Sequence, residues 1–186
     1  MFQFLFGPKN PTRDWERPSN LRLTFDLDCG ELNGVGLGQR LDRLSFLGPI
    51  EDREGLRAGE YRYCSFGLSV GCYNDAQIID CFDIVQKDRY LPQYRPFSDI
   101  CHYLGENLDL GRLTEESAIE TFGSPFWKDQ DDEEIILFYE FPNREWQVEF
   151  ALDRTFNRII VTSKPLMADE RQRNAYGVNK PWPPRQ

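Results

Sequence analysis

Apolar and polar residues alternate strictly from Leu21 to Cys29. Leu21, Leu23, Phe25, Leu27 and Cys29 fall on one side, and Arg22, Thr24, Asp26 and Asp28 on the other. A period of two predicts a half-buried strand. Gly30, Gly34, Gly36 and Gly38 then interrupt the chain and predict a flexible lead-in to a helix. In that helix Leu37, Leu41, Leu44 and Leu47 recur, and Gly48-Pro49 stops it. Strands are expected at Tyr61/Tyr63, at Leu68/Val70/Cys72 and from Ile78 to Val85, with Asn74-Asp75 as a hairpin turn. Further on, Thr114 is placed to cap a helix whose first turn holds Glu115 and Glu116 and whose apolar face holds Ile119 and Phe122. Three more strands follow, at Ile135 to Phe141, Arg144 to Leu152 and Phe156 to Thr162.

The same order of elements therefore occurs twice. The helix-ending residues Gly48 and Gly123 lie 75 positions apart, and matching strand residues such as Tyr61 and Tyr139, or Val70 and Val148, lie 78 apart. The difference falls in the acidic loop Lys128 to Glu134, where insertion costs little. The expected fold class is α+β: two tandem helix-plus-antiparallel-meander repeats forming a curved antiparallel sheet with helices on one face. The corresponding segments are an N-terminal arm (1–20), repeat 1 (21–86), a connector (87–106), repeat 2 (107–163) and a C-terminal tail (164–186).

The pieces Leu44-Ser45-Phe46-Leu47-Gly48-Pro49 with Tyr61-Arg62-Tyr63, and Ile119-Glu120-Thr121-Phe122-Gly123-Ser124-Pro125 with Tyr139-Glu140-Phe141, resemble the repeat of the BLIP/BamE-like fold. That fold is shared by the β-lactamase inhibitor protein and the outer-membrane assembly lipoprotein BamE. The resemblance implies a continuous curved sheet whose exposed face grips another protein. It does not extend to a lipobox, an export signal or a cysteine pair within each repeat.

Composition narrows the function. The chain has 186 residues and a net charge of −9, with 22 Lys+Arg, 31 Asp+Glu and a single histidine. Residues 1–22 hold four basic and two acidic side chains, and residues 164–186 hold five and two, so the stretch between them is strongly acidic. Such a balance argues against nucleic acid and suits a basic protein partner. No apolar run is long enough for a membrane helix, and the N-terminal Phe2, Phe4 and Phe6 are expected to pack on the body. Five cysteines without compact spacing suit reduced thiols in a cytoplasmic protein.

Candidate chemistry is sparse. There is no P-loop or nucleophile elbow, Cys101-His102 point to opposite faces of a strand, and the run Asp129 to Glu134 lacks the glycine of a calcium loop. No metal and no cofactor is expected. The expected function is a non-catalytic protein-binding module, inhibitor- or immunity-like, acting through the outer sheet face. Its candidate contacts are Arg62, Tyr73, Glu140, Gln147 and Glu149, with Tyr90 and Tyr94 from the aromatic connector. The alternative is a small-molecule-binding or hydrolytic enzyme with a cleft between the repeats, using Asp26, Asp28 or His102. The tail sequence Pro181-Trp182-Pro183-Pro184 reads as a polyproline ligand or a free end.

Overall fold

Residues 9–73, 77–88 and 91–184 are described by the computed structural model. Phe2, Phe4, Phe6, Asn74, Asp75 and Tyr90 lie outside them. Twelve strands form among the described residues. In chain order they are β1 (Thr24–Asp26), β2 (Glu31–Leu32), β3 (Val35–Gly36), β4 (Glu60–Tyr63), β5 (Leu68–Tyr73), β6 (Ile78–Val85), β7 (Ile100–Tyr103), β8 (Glu106–Asn107), β9 (Trp127–Gln130), β10 (Glu134–Phe141), β11 (Arg144–Ala151) and β12 (Phe156–Thr162). Two α-helices accompany them, α1 (Glu115–Phe122) and α2 (Glu170–Ala175).

Seven strands make one antiparallel sheet in the order β4-β5-β6-β12-β11-β10-β9, so two meanders meet at the β6–β12 pair. Five short strands make a second sheet, β3-β2-β1-β7-β8, in which β1 and β7 run parallel. Side chains alternate through both sheets, and the inner faces share one core. Phe25 of the small sheet meets Phe82 of the large one edge-on at 5.5 Å. Tyr103 meets Trp146 at 5.9 Å, and Phe122 of α1 fits beside them, 5.0 Å from Tyr103 and 5.7 Å from Trp146. Burying each such ring contributes roughly 1.5–3 kcal/mol.

The expected α+β repeat architecture is overturned, because the protein is mostly β. The leucine-spaced segment Leu41–Leu47 is 3₁₀ rather than α, and Leu44 leaves helical geometry at φ −92°, ψ 17°. Its buried residues Leu41, Leu44 and Leu47 recur every three positions, the period of a 3₁₀ turn. The glycine-rich lead-in pairs as β2 and β3, and the connector supplies β7 and β8. Those four strands join β1 in the second sheet, so helices do not cover one face of a repeat sheet.

Helix α1 forms where the sequence places it. Thr114 and Ser117 close a capping box: the Ser117 N–H donates to Thr114 Oγ1 at 3.2 Å and the Thr114 N–H donates to Ser117 Oγ at 2.9 Å. The N-terminal arm is docked through Thr12, fully buried, whose Oγ1 accepts the Ile50 N–H at 2.9 Å. No helix among the described residues is long and apolar enough to cross a membrane.

Candidate functional site

The outer face of the large sheet carries the residues expected to bind a partner. Strand register sets Arg62, Ser69, Asp83, Ile160, Gln147, Phe138 and Trp127 in one row across all seven strands. This face is not open. Arg62 is held by Asp52 at 2.8 Å and Glu60 at 2.7 Å. Glu149 is only 5% exposed and accepts from Arg158 Nε at 2.6 Å. Arg158 also reaches Asp88 at 3.5 Å and Asp83 at 3.6 Å. Burial pushes the Asp83 carboxyl up to about 7 against the pull of Arg158, and raises Glu149 in the same way. Tyr94 of the connector lies half-buried over this cluster with its hydroxyl shielded from solvent.

The far half of the face is closed by the C-terminal segment, which is no free tail. Glu145 Oε2 accepts the N–H groups of Leu166 at 2.8 Å and Met167 at 3.4 Å, while Gln147 Nε2 donates to Glu145 Oε1 at 2.5 Å. Trp182 Nε1 donates to Glu140 Oε2 at 2.9 Å. Phe138, Met167 and Val178 make a small second core, with Ile136, Trp127 and Trp182 against it. The expected exposure of Glu140, Gln147, Glu149 and Arg62 is therefore corrected: each is engaged inside the molecule. Alternation distinguishes the two faces of a strand but not whether the polar face is solvated. Tyr73 is open, at 55% exposure, with Lys164 Nζ 3.3 Å from its ring centroid.

The residues of the enzymatic alternative lie on the small sheet. Asp26 and His102 are register partners across the parallel β1–β7 ladder, so they share a face. Both aspartates serve the local turns: Asp26 Oδ1 accepts the Cys29 N–H at 3.0 Å, and Asp28 Oδ2 accepts the Leu104 N–H in a short bond. Cys101 points into the core with its thiol pushed up to about 12 by burial, so it gives His102 no nucleophile to activate. Among the described residues no group of three or more His, Cys, Asp or Glu side chains is placed to hold a metal ion.

A polar cavity of about 320 Å³ opens where the two sheets meet, lined by Cys29, Glu31, Gly36, Leu37, Gly38 and Gln39 on one side and by Asn143, Arg144 and Ser163 on the other. The segment of the small sheet is held in place by β6: the Gly38 N–H donates to Ile79 O at 2.7 Å and the Ile79 N–H to Gln39 O at 2.8 Å. Arg144 enters from the tight β10–β11 hairpin, where it faces Phe141 in register. Its guanidinium lies 4.9 Å from the Phe141 ring and 5.9 Å from Trp146. Among the described residues it forms no ion pair, and its buried Nε has no hydrogen-bond partner. Sequence reasoning did not single out Arg144; the available signal was a cation at a hairpin beside Trp146 in an acidic chain. A second cavity, about 460 Å³, runs between residues 96–101 and 107–111; its charged lining residues, Asp99 and Asp109, are both acidic.

No protein-family model matches this chain, and no curated protein does. Among solved structures, the chain is similar to a DUF4309 family protein (YjgB) from Bacillus subtilis subsp. subtilis str. 168. The likeness covers 70% of this chain and 83% of that one, at 14% identity and a TM-score of 0.49. At that level it carries no functional argument.

Proposed function

We propose that the chain is a non-catalytic binding module that holds a small ligand by an anionic group in the cavity between its two sheets. The observation that supports this reading is Arg144, a half-buried guanidinium without an ion-pair partner among the described residues, in a chain of net charge −9. A shielded donor left unpaired is costly, and an anion in the cavity would pair with the guanidinium. Phe141 and Trp146 lie 4.9 Å and 5.9 Å from the guanidinium, whose planar fork of donors matches a carboxylate. Binding through the outer sheet face has less support, because the connector and the C-terminal segment occupy that face.

The test is thermal unfolding of the protein and of Arg144→Gln in acetate or phosphate at constant ionic strength. A ligand at a hundred times its Kd stabilises by about 2.7 kcal/mol. The expected result is saturable stabilisation of the wild-type chain that Arg144→Gln abolishes. Equal responses of the two proteins to both anions would overturn the reading.

A further inference from the structure

The cavity holds a second unpartnered charge. Glu31 lines it on the small-sheet side, and among the described residues its carboxylate has neither a hydrogen bond nor an ion pair. It shares the space with Arg144, and no ion pair joins them. Both charges act on one point of the wall: the Cys29 thiol is raised by desolvation, then by Asp26 and Glu31, while Arg144 pulls it the other way. The Glu31 side chain lies along the bare backbone of Gly36, where even a methyl group would come within 3.0 Å of its Cγ. The carboxylate is thus steered by close packing, and Arg144 is steered by its two rings.

An anion alone would satisfy Arg144 but would meet Glu31 and an acidic body. A cation alone would satisfy Glu31 but would meet Arg144. A ligand carrying both charges on neighbouring atoms answers each group and brings no net charge into the cavity. Resting on the Arg144 reading above, we propose that the cavity binds a free α-amino acid, its carboxylate on Arg144 and its ammonium on Glu31. Gln39, Asn143 and Ser163 supply neutral polar groups for the ligand's side chain. A volume of about 320 Å³ stands at the lower end of the range of small-ligand pockets, which suits a single amino acid.

Calorimetric titration with L-serine, L-glutamine, β-hydroxypropionate and ethanolamine tests this, using the wild-type chain, Glu31→Gln, Arg144→Gln and Arg144→Lys. β-Hydroxypropionate is serine without its ammonium, and ethanolamine is serine without its carboxylate. The wild-type protein should bind at least one amino acid, with each serine fragment weaker than serine by roughly tenfold or more, the cost of losing one charged contact. Glu31→Gln should erase the preference for serine over β-hydroxypropionate, and Arg144→Gln should lose both. Arg144→Lys should retain part of the affinity, which separates loss of the charge from loss of the fold. If β-hydroxypropionate binds the wild-type chain as well as serine does, and Glu31→Gln leaves the ratio unchanged, the amino-acid inference falls while the anion site stands. If no compound saturates any of the proteins, both fall.

Discussion

Glu140 and Glu145 stand directly opposite each other across β10 and β11, both buried, at 8% and 0% exposure. Like charges facing across a ladder are destabilising unless a proton is shared. Burial first, and then contact with Glu145, pushes Glu140 up to about 9. The pair also fastens the C-terminal segment, Glu145 through the Leu166 and Met167 amides and Glu140 through the Trp182 indole.

Stability should fall as pH rises across neutrality. The unfolded carboxyl of Glu140 titrates near 4.5, so between about 4.5 and about 9 the folded protein keeps a proton that the unfolded chain releases. That contribution is complete below the lower value and lost as pH passes the upper one. Asp83 acts in the same sense between 3.8 and about 7. Glu51 and Asp52 are lowered in the folded state, Glu51 by its Ser65 and Arg17 contacts against desolvation and Asp52 chiefly by the Glu54 N–H, so they take stability away at the acid end. Thermal melts against pH should therefore peak on the acid side of neutral. Glu140→Gln, neutral throughout, should flatten the alkaline limb and raise stability there by about 1 kcal/mol, a Tm gain of roughly 2–4 °C. An unchanged slope would show that Glu140 is not the group responsible.

Arg158 is the guanidinium on which the covered polar cluster depends. Its Nε meets Glu149 at 2.6 Å, and Nη1 lies 3.6 Å from the largely buried Asp83. Arg158→Met removes the cation but keeps much of the packing, leaving buried carboxylates without it. A loss of about 3–5 kcal/mol in denaturant unfolding is expected. The deficit should shrink as pH is lowered toward the titration of Asp83 and Glu149. The double substitution Arg158→Met with Glu149→Gln should recover part of it at neutral pH. A loss below about 1 kcal/mol, independent of pH, would mean that water reaches the cluster.

How much of this was legible in the sequence depends on the range of each interaction. The capping of α1 by Thr114 and the alternation through β11, Trp146 inward and Gln147 outward, are set by neighbours within a few residues and are visible there. The spacing Leu37, Leu41, Leu44, Leu47 suits one face of an α-helix, but the interval of three from Leu41 to Leu47 also fits a 3₁₀ segment, which is what forms. The second sheet escaped because its strands are only two to four residues long and β1 pairs with β7 some 75 positions away. The cavity escaped for the same reason. Glu31 with Gln39, Arg144 and Ser163 come from three separate stretches of chain, and each alone reads as an ordinary surface residue. Nor does anything in Lys164 to Trp182, with its basic and proline-bearing composition, announce that it covers a sheet.

Gly67 pins the connector to the large sheet. It takes φ +64°, and an added Cβ would lie 2.4 Å from Phe97 N, 2.5 Å from Arg95 O and 2.7 Å from Val85 O. All three atoms are backbone, so none can swing aside. The Arg95 N–H donates to Cys64 O and the Phe97 N–H to Val85 O, and these bonds bring the two segments together around the glycine. Gly67→Ala should cost about 2–4 kcal/mol, from the left-handed backbone and the forced separation combined. Hydrogen exchange should report it locally, with faster exchange at Arg95 and Phe97. Gly34→Ala provides the contrast: φ is +78° but nothing lies within 4 Å of its Cβ, so only the conformational cost of about 1 kcal/mol applies.

The C-terminal segment should be indispensable to the large sheet's outer face. Phe138 is 1% exposed and Met167 fully buried, and Trp127 and Ile136 pack beside them. A chain ending at Lys164 would uncover this apolar row and would also remove the two amide donors of Glu145, leaving a buried carboxylate beside Glu140. Both effects act in one direction. The shortened protein should bind a hydrophobic dye, self-associate with increasing concentration, and melt well below the full chain. Trp182→Phe isolates the polar part, since it keeps a ring on the patch and removes only the hydrogen bond to Glu140. It should cost about 1–2 kcal/mol without dye binding. A shortened protein that stayed monomeric, dye-free and equally stable would show that the sheet face is self-sufficient, and would restore it as an open surface for a partner.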